Sequence, residues 1–163
     1  MAVTIRSTTE HDWEQVRTLR LEALADTPLA FGEHLVDAEK HGESEWRMRG
    51  ARGTNPHSVY LVAIDDDGRW VGTMGGYVDR SVPMLVGVYV SPSVRGTGVA
   101  EALLAGIEEW ALTEGDMLLL HVHEENPRAR AFYTKAGYIE NGVTHPYVLD
   151  PSAREVEMVK LLR

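Results

Sequence analysis

The chain has 163 residues, of which 44% are hydrophobic and 25% are charged, and this composition is typical of one globular domain spanning residues 1–163. It contains no cysteine, which excludes disulfides, thiolate metal ligands and a cysteine nucleophile. Its 16 basic and 25 acidic residues give a formal net charge of −9, which argues against a nucleic-acid partner and requires that any anionic ligand be held by local donors.

Neither the N-terminal residues nor the apolar runs of the sequence indicate export or membrane insertion. The longest apolar run, residues 84–90, is far too short to cross a bilayer. The first 13 residues lack the apolar core and cleavage pattern of a signal peptide. We therefore expect a cytoplasmic protein with no membrane partner.

The first half of the chain is predicted to contain a strand, two helices and three further strands. A strand over residues 3–7 precedes a helix whose apolar residues recur every three or four positions from Trp13 to Leu24. A second, charged helix is expected over 35–50, although Gly42 lowers its helical propensity. The three strands follow at 58–64, 70–78 and 84–90.

The second half alternates helices and strands. An amphipathic helix is expected over 96–112, followed by a continuous apolar strand at 117–122 that is predicted to be covered on both faces. A short helix with Asn126 at its cap is expected over 127–136. Two strands, at 138–142 and 155–161, complete the chain. This order predicts an α/β (α+β) fold with a mixed, mostly antiparallel sheet of six or seven strands and about four helices.

Residues 95–98, Arg-Gly-Thr-Gly, join the third of the three strands to the amphipathic helix. Glycines at a helix start expose unpaired backbone N–H groups, and these groups and the positive end of the helix dipole attract anions such as phosphate. Arg95 adds a charge there, and Thr97 adds a hydroxyl donor. The segment matches neither a Walker A loop nor a GxGxxG fingerprint. The alternative is that Gly96 and Gly98 only ease a tight turn.

A second motif follows about 30 residues later. Residues 126–138 read NPRARAFYTKAGY, with the pattern N-x-x-A-x-x-F-Y-x-K-x-G-[FY], and residues 88–100 read VYVSPSVRGTGVA. With both motifs in this order, the chain resembles the GNAT superfamily of acetyl-CoA-dependent N-acetyltransferases. The resemblance implies the GNAT fold and acetyl-CoA as co-substrate, with no metal.

The resemblance also implies which residues bind coenzyme A. The pyrophosphate is expected at the N–H groups of residues 95–100, and the pantetheine arm is expected to pair with the strand at 88–90, from which the strand at 118–122 splays away. The expected cofactor-binding residues are Val88, Tyr89, Val90, Arg95, Gly96, Thr97, Gly98, Val99, Ala100, Asn126 and Tyr133.

The implied reaction is attack of a primary amine on the thioester in a ternary complex. The resemblance implies that Tyr133 is the general acid that protonates the leaving thiolate, and that the backbone N–H of Val90 contacts the oxyanion. Deprotonating an alkylamine at pH 7 costs about 4.6 kcal/mol, and Met84 stands where relatives carry a glutamate base. Glu33 and His34 are spare candidates for the base, and a route without a base remains open.

The acceptor is expected to be a small-molecule or peptide amine, with Phe31, Glu33, His34 and Tyr77 as candidate acceptor-side residues. His121 and His123 share a face of their strand and are expected near this cleft. A metal pair is not favoured, because no third ligand is suitably spaced. A catalytically silent acyl-CoA-binding sensor with the same fold is the alternative function. A homodimer is also possible.

Overall fold

Strands from both halves of the chain form the central sheet in the computed structural model, which describes residues 2–163. The strands are β1 (Thr4–Ser7), β2 (Ser58–Ile64), β3 (Trp70–Asp79), β4 (Val82–Val90), β5 (Met117–His123), β6 (Ile139–Tyr147) and β7 (Asp150–Leu161). The α-helices are α1 (Trp13–Asp26), α2 (Leu35–Ala38), α3 (Glu43–Ala51), α4 (Val99–Glu114) and α5 (Pro127–Lys135). These elements confirm the mixed α/β fold.

The seven strands lie in the order β1-β2-β3-β4-β5-β7-β6. All neighbouring pairs are antiparallel except β4 and β5, which are parallel and joined by the crossover through α4. A parallel pair needs such a crossover, because a tight turn can join only antiparallel strands. The predicted mostly antiparallel sheet with one parallel crossover is therefore confirmed.

Helices cover both faces of the sheet and produce two apolar cores. On one face, α4 and α5 bury Leu103, Ile107 and Tyr133 against the centre of the sheet. On the other face, α1 and α3 bury Leu19 and Trp46 against β2, β3 and β4. The period of the apolar residues in each helix sets which side of it is buried.

The structure corrects three predicted boundaries. The helix expected over 35–50 is two helices, since Gly42 adopts an extended conformation and is the N-cap of α3. The helix expected from residue 96 begins only at Val99. The last two strands are longer than predicted, because their pairing continues through a bulge between Glu140 and Thr144. The described part of the chain contains no helix of the length and apolar character that a membrane span requires.

Candidate active site

A cleft of about 590 Å³ opens where β4 and β5 separate. The two strands pair only at Met84–Leu119 and Leu85–Leu120, so β4 has no strand partner on this side beyond Leu85. The cleft is therefore lined by β4 residues 86–90 on one side and by β5 residues 120–123 on the other. The expected splay is present.

A bulge shapes the β4 wall of the cleft. Thr73 of β3 pairs with Tyr89, whereas Gly75 pairs with Val86, so β4 holds one extra residue between these pairs. Gly87 lies in this bulge with a φ of +62°, a left-handed conformation that favours glycine. The sequence pattern did not single out Gly87.

The Arg-Gly-Thr-Gly loop lies at one end of the cleft. Gly96 and Gly98 have φ angles of +77° and +94°, which explains why glycine is used and why α4 cannot begin before Val99. No side chain caps α4, and the N–H groups of Gly96 and Gly98 find no acceptor within residues 2–163. These groups, together with the first N–H groups of α4, form a cluster of donors suited to an anion.

The two polar side chains of this loop have other partners. The Arg95 guanidinium donates to the Val90 carbonyl and forms an ion pair with Asp26. The Thr97 hydroxyl donates to the Val94 carbonyl. Thr97 therefore does not offer the free hydroxyl donor expected from the sequence, and the charge of Arg95 is compensated by Asp26. In addition, Thr97, Gly98 and the buried Val99 do not line the cleft, whereas Gly96 and Ala100 do.

Tyr133 lies on α5 beside the cleft. Its side chain packs edge-on against Phe132 and Tyr138, and the residue is only 5% exposed. Burial raises the pKa of its phenol above the ordinary value, so the hydroxyl is protonated at neutral pH. Asn126 also lines the cleft, and its side-chain oxygen accepts the Ala129 N–H as the cap of α5, as predicted.

The candidate acceptor residues separate into two groups. Phe31 and Tyr77 line the cleft. Glu33 and His34 do not belong to its lining. The Phe31 loop is held from two sides: Arg20 lies 4.6 Å from the Phe31 ring centroid, and the Tyr147 hydroxyl donates to the Phe31 carbonyl at 2.6 Å.

Glu33 is an ion-pair partner in a network between helices. Arg49 donates to both of its carboxylate oxygens, at 2.9 and 2.7 Å, while Arg20 and His41 each lie 3.0 Å away. The hydrogen bonds from Arg49, followed by the contact with His41 and the charges of Arg49 and Arg20, lower the pKa of the Glu33 carboxyl to about 2. Because the Glu33 carboxylate is weakly basic and does not itself line the cleft, it is poorly suited to deprotonate an amine.

His121 and His123 both line the cleft but have different surroundings. The buried His123 accepts the Glu125 N–H at Nδ1 and packs edge-on against Tyr147 at 4.8 Å. His121 instead contacts Glu157, its cross-strand neighbour on β7. His145 of β6 contacts the same carboxylate oxygen. His121 is thus joined by side chains from two other strands, and His123 is not part of this group.

Sequence reasoning missed basic and acidic residues on the cleft wall. Arg128, in the first turn of α5, lines the cleft. Glu101 and Glu155 line it as well. The position of Arg128 inside the second motif could have indicated that it lies at the cleft. No local pattern could have indicated Glu155, because its place is set by the pairing of β7 with β5.

Comparison with known proteins supports these observations. The model of the acetyltransferase (GNAT) family matches residues 13–138. An uncharacterised N-acetyltransferase from Mycobacterium bovis is 32% identical over 126 residues, covering 73% of this chain and 76% of the relative. Another, from Methanocaldococcus jannaschii, is 30% identical over 97 residues, covering 58% of this chain and 61% of the relative.

A solved structure extends the likeness to the whole chain. The PaiA N-acetyltransferase of Thermoplasma acidophilum, in complex with coenzyme A, superposes with a TM-score of 0.79, 21% identity and 99% coverage of both chains. At this identity the likeness shows the shared fold. The match of the family model over residues 13–138 identifies the family to which this fold belongs. The chain belongs to the acetyltransferase (GNAT) family and is an acyltransferase.

Proposed function

We propose that the chain transfers an acetyl group from acetyl-CoA to a primary amine of a small molecule or peptide, by direct attack in a ternary complex. The observation that carries this proposal is the unpaired edge of β4, residues 86–90, facing a cleft with a donor cluster at one end and the Tyr133 side chain at its wall. An extended pantetheine arm, with its amide groups, is chemically suited to pair with such an edge.

Gly96, Gly98 and the first N–H groups of α4 would hold the pyrophosphate of coenzyme A. An alanine Cβ at Gly96 or Gly98 would meet no atom within 4 Å, so neither position is crowded by the rest of the chain. Arg128 and Lys135 add positive charge to the cleft wall, which counteracts the net charge of −9 locally.

The direction of the Val90 backbone supports a contact with the thioester. The Ser91 N–H donates to Val71 of β3, so the backbone groups of the preceding Val90 point away from β3, toward the cleft. The N–H is the only hydrogen-bond donor of the Val90 backbone, and it is the group proposed to stabilise the oxyanion.

The reaction then needs two proton movements. The amine nitrogen bonds to the acetyl carbon to give a tetrahedral oxyanion, and the carbon–sulfur bond then breaks. The nitrogen gives its extra proton to water, and the departing thiolate takes a proton from Tyr133, which water then reprotonates. A thiol with a pKa of about 8.5 is already a fair leaving group, and the Tyr133 phenol is a weak acid because burial raises its pKa. Its contribution to the rate is therefore expected to be modest.

Thiol release from acetyl-CoA tests the proposal. We would offer polyamines, amino acids, aminoglycosides and lysine peptides, and measure free coenzyme A with a thiol-reactive dye. The chain has no cysteine and so gives no background signal. Acceptor-dependent release would support acetyl transfer. Silence across the panel, together with a melting temperature that coenzyme A still raises, would support the acyl-CoA sensor instead.

Tyr133→Phe tests the proposed acid, with Tyr138→Phe as its matched control. The Tyr138 ring lies 5.9 Å from that of Tyr133, but its hydroxyl donates to Glu108 rather than lining the cleft. We expect Tyr133→Phe to lower kcat about tenfold with little change in the KM for acetyl-CoA, below the usual range for general acids because the leaving group is good. Equal kcat in both variants would remove Tyr133 as the acid.

Gly98→Ala tests the anion site, with Gly68→Ala as its control. Both glycines have a left-handed φ, +94° and +82°, and neither added Cβ would meet an atom within 4 Å. The cost in backbone strain is therefore similar, about 1 kcal/mol or more. Only Gly98→Ala is expected to weaken coenzyme A binding in calorimetric titration. Equal affinities would contradict the assignment.

A further inference from the structure

Two imidazoles and one carboxylate converge on the face of the sheet that borders the cleft. His121 of β5 and His145 of β6 each direct Nε2 at Oε1 of Glu157 on β7, at 3.0 and 3.4 Å. The imidazole ring centroids of the two histidines are 4.5 Å apart. Each residue comes from a different strand, and no other cluster of this type occurs among residues 2–163.

We infer that His121, His145 and Glu157 form a binding site for a divalent transition-metal ion such as Zn²⁺. The three ligand atoms lie within 4.8 Å of one another. Metal–ligand bonds of about 2.0–2.2 Å in tetrahedral geometry separate ligand atoms by roughly 3.4 Å. The two contacts to Glu157 already have about this length. A rotation of the imidazoles, whose side chains are 31% and 44% exposed, would supply the rest.

The carboxylate is held in place for this role. The second oxygen of Glu157 accepts a hydrogen bond from Asn141 Nδ2 at 2.6 Å, which fixes the plane of the carboxylate and leaves Oε1 for the imidazoles. Glu157 is 14% exposed, whereas both histidines are reachable from solvent, so an ion has a path to the site. Hydrogen bonding of a ligating carboxylate is a common feature of metal sites.

The ligand set determines which ions fit. Two imidazoles with one carboxylate suit zinc and its first-row neighbours, whereas Mg²⁺ and Ca²⁺ prefer sites made wholly of oxygen. Three protein ligands leave a fourth position open for water or another molecule, as in catalytic zinc sites. Because His121 also lines the cleft, a bound ion would lie at its wall. The site is independent of the proposed acetyl transfer.

Calorimetric titration of the full, tag-free, EDTA-treated chain with ZnCl2 tests the inference, with MgCl2 as the comparison ion. We expect one Zn²⁺ per chain and no heat with Mg²⁺. His145→Ala should weaken Zn²⁺ binding by roughly tenfold or more. The control is His57→Ala, because His57 contacts a single carboxylate, Glu114, and is 74% exposed.

A second readout uses cobalt. Co²⁺ bound by two imidazoles and a carboxylate should give visible absorption bands that are absent in His145→Ala and in Glu157→Gln, with circular dichroism showing that each variant is folded. No saturable Zn²⁺ binding by the native chain would overturn the inference, and so would unchanged Zn²⁺ affinity in both variants. In either case the three side chains form a hydrogen-bonded group only.

Discussion

Replacing Glu33 with glutamine tests the ion-pair network that connects α1, α3 and the Phe31 loop. Glu33→Gln removes the charge that compensates Arg49 and Arg20, whose side chains are only 12% and 22% exposed. It also places an amide NH2 against guanidinium donors, which breaks the paired hydrogen bonds from Arg49.

The expected loss follows from these contacts. Removing one partner of a fully buried ion pair costs about 3–5 kcal/mol, and a hydrogen bond to a charged group contributes about 1.5–3 kcal/mol. Because Glu33 is 14% exposed, water screens part of the network and lowers the first figure. We expect the free energy of unfolding to fall by about 2–3 kcal/mol at pH 7.

Urea unfolding, followed by the fluorescence of the tryptophans, measures this loss. The buried Trp46 lies 4.8 Å from the Arg49 guanidinium and will report on this region. Glu43→Gln is the matched control, because Glu43 pairs with Arg47 on the surface of α3 with 54% and 38% exposure. Such exposed pairs contribute about 0.3–0.5 kcal/mol.

The pH dependence gives a second check. The pKa of the Glu33 carboxyl is about 2 in the folded chain and 4.5 in its ordinary state, so its stabilisation is complete above pH 4.5 and is lost as the pH falls toward 2. The difference between the native chain and Glu33→Gln should therefore be smaller at pH 3 than at pH 7. A loss no larger than that of Glu43→Gln, or a difference that grows as the pH falls, would refute this reasoning.

Two further substitutions test the packing of α4 against the sheet and the attachment of the Phe31 loop beside the cleft. Gly76→Ala would place a Cβ 2.7 Å from the Trp110 ring, so we expect thermal unfolding to show a loss of stability of about 1–3 kcal/mol. Gly75→Ala is the control, because its nearest contact is at 3.4 Å and it should lose less stability. Equal losses in the two variants would argue against the close approach of α4 to β3. Tyr147→Phe removes the hydrogen bond to the Phe31 carbonyl and should cost about 1 kcal/mol in urea unfolding. In steady-state assays it should raise the KM for the amine more than that for acetyl-CoA, and the opposite order would place Phe31 away from the acceptor.

Local pattern was sufficient to predict most of the elements. Apolar residues three or four apart identified α1 and α4, and the continuous apolar run 117–122 identified β5 as a central strand. These patterns are readable because each helix or strand buries one side or both, and the period of its apolar residues follows from its own backbone geometry. The two motifs likewise placed Gly96 and Tyr133 on one cleft.

Only the tertiary structure decided what the charged side chains contact. Arg95 pairs with Asp26 from 69 positions away, and Glu33 accepts from Arg49 and Arg20 on two helices. Such partners depend on how helices and strands pack, which local periodicity does not specify. For this reason the sequence suggested Glu33 as a base, and the structure shows it as an ion-pair partner.

The grouping of His121, His145 and Glu157 has the same origin. His121 and Glu157 are cross-strand neighbours 36 positions apart, and His145 joins them because β6 pairs with β7 at the edge of the sheet. The sequence predicted that His121 and His123 share a face, since alternate residues of a strand do so, and it offered no third ligand beside them. Strand order, which arises from long-range pairing, instead determined which side chains meet, and it brought side chains from three strands together beside the cleft.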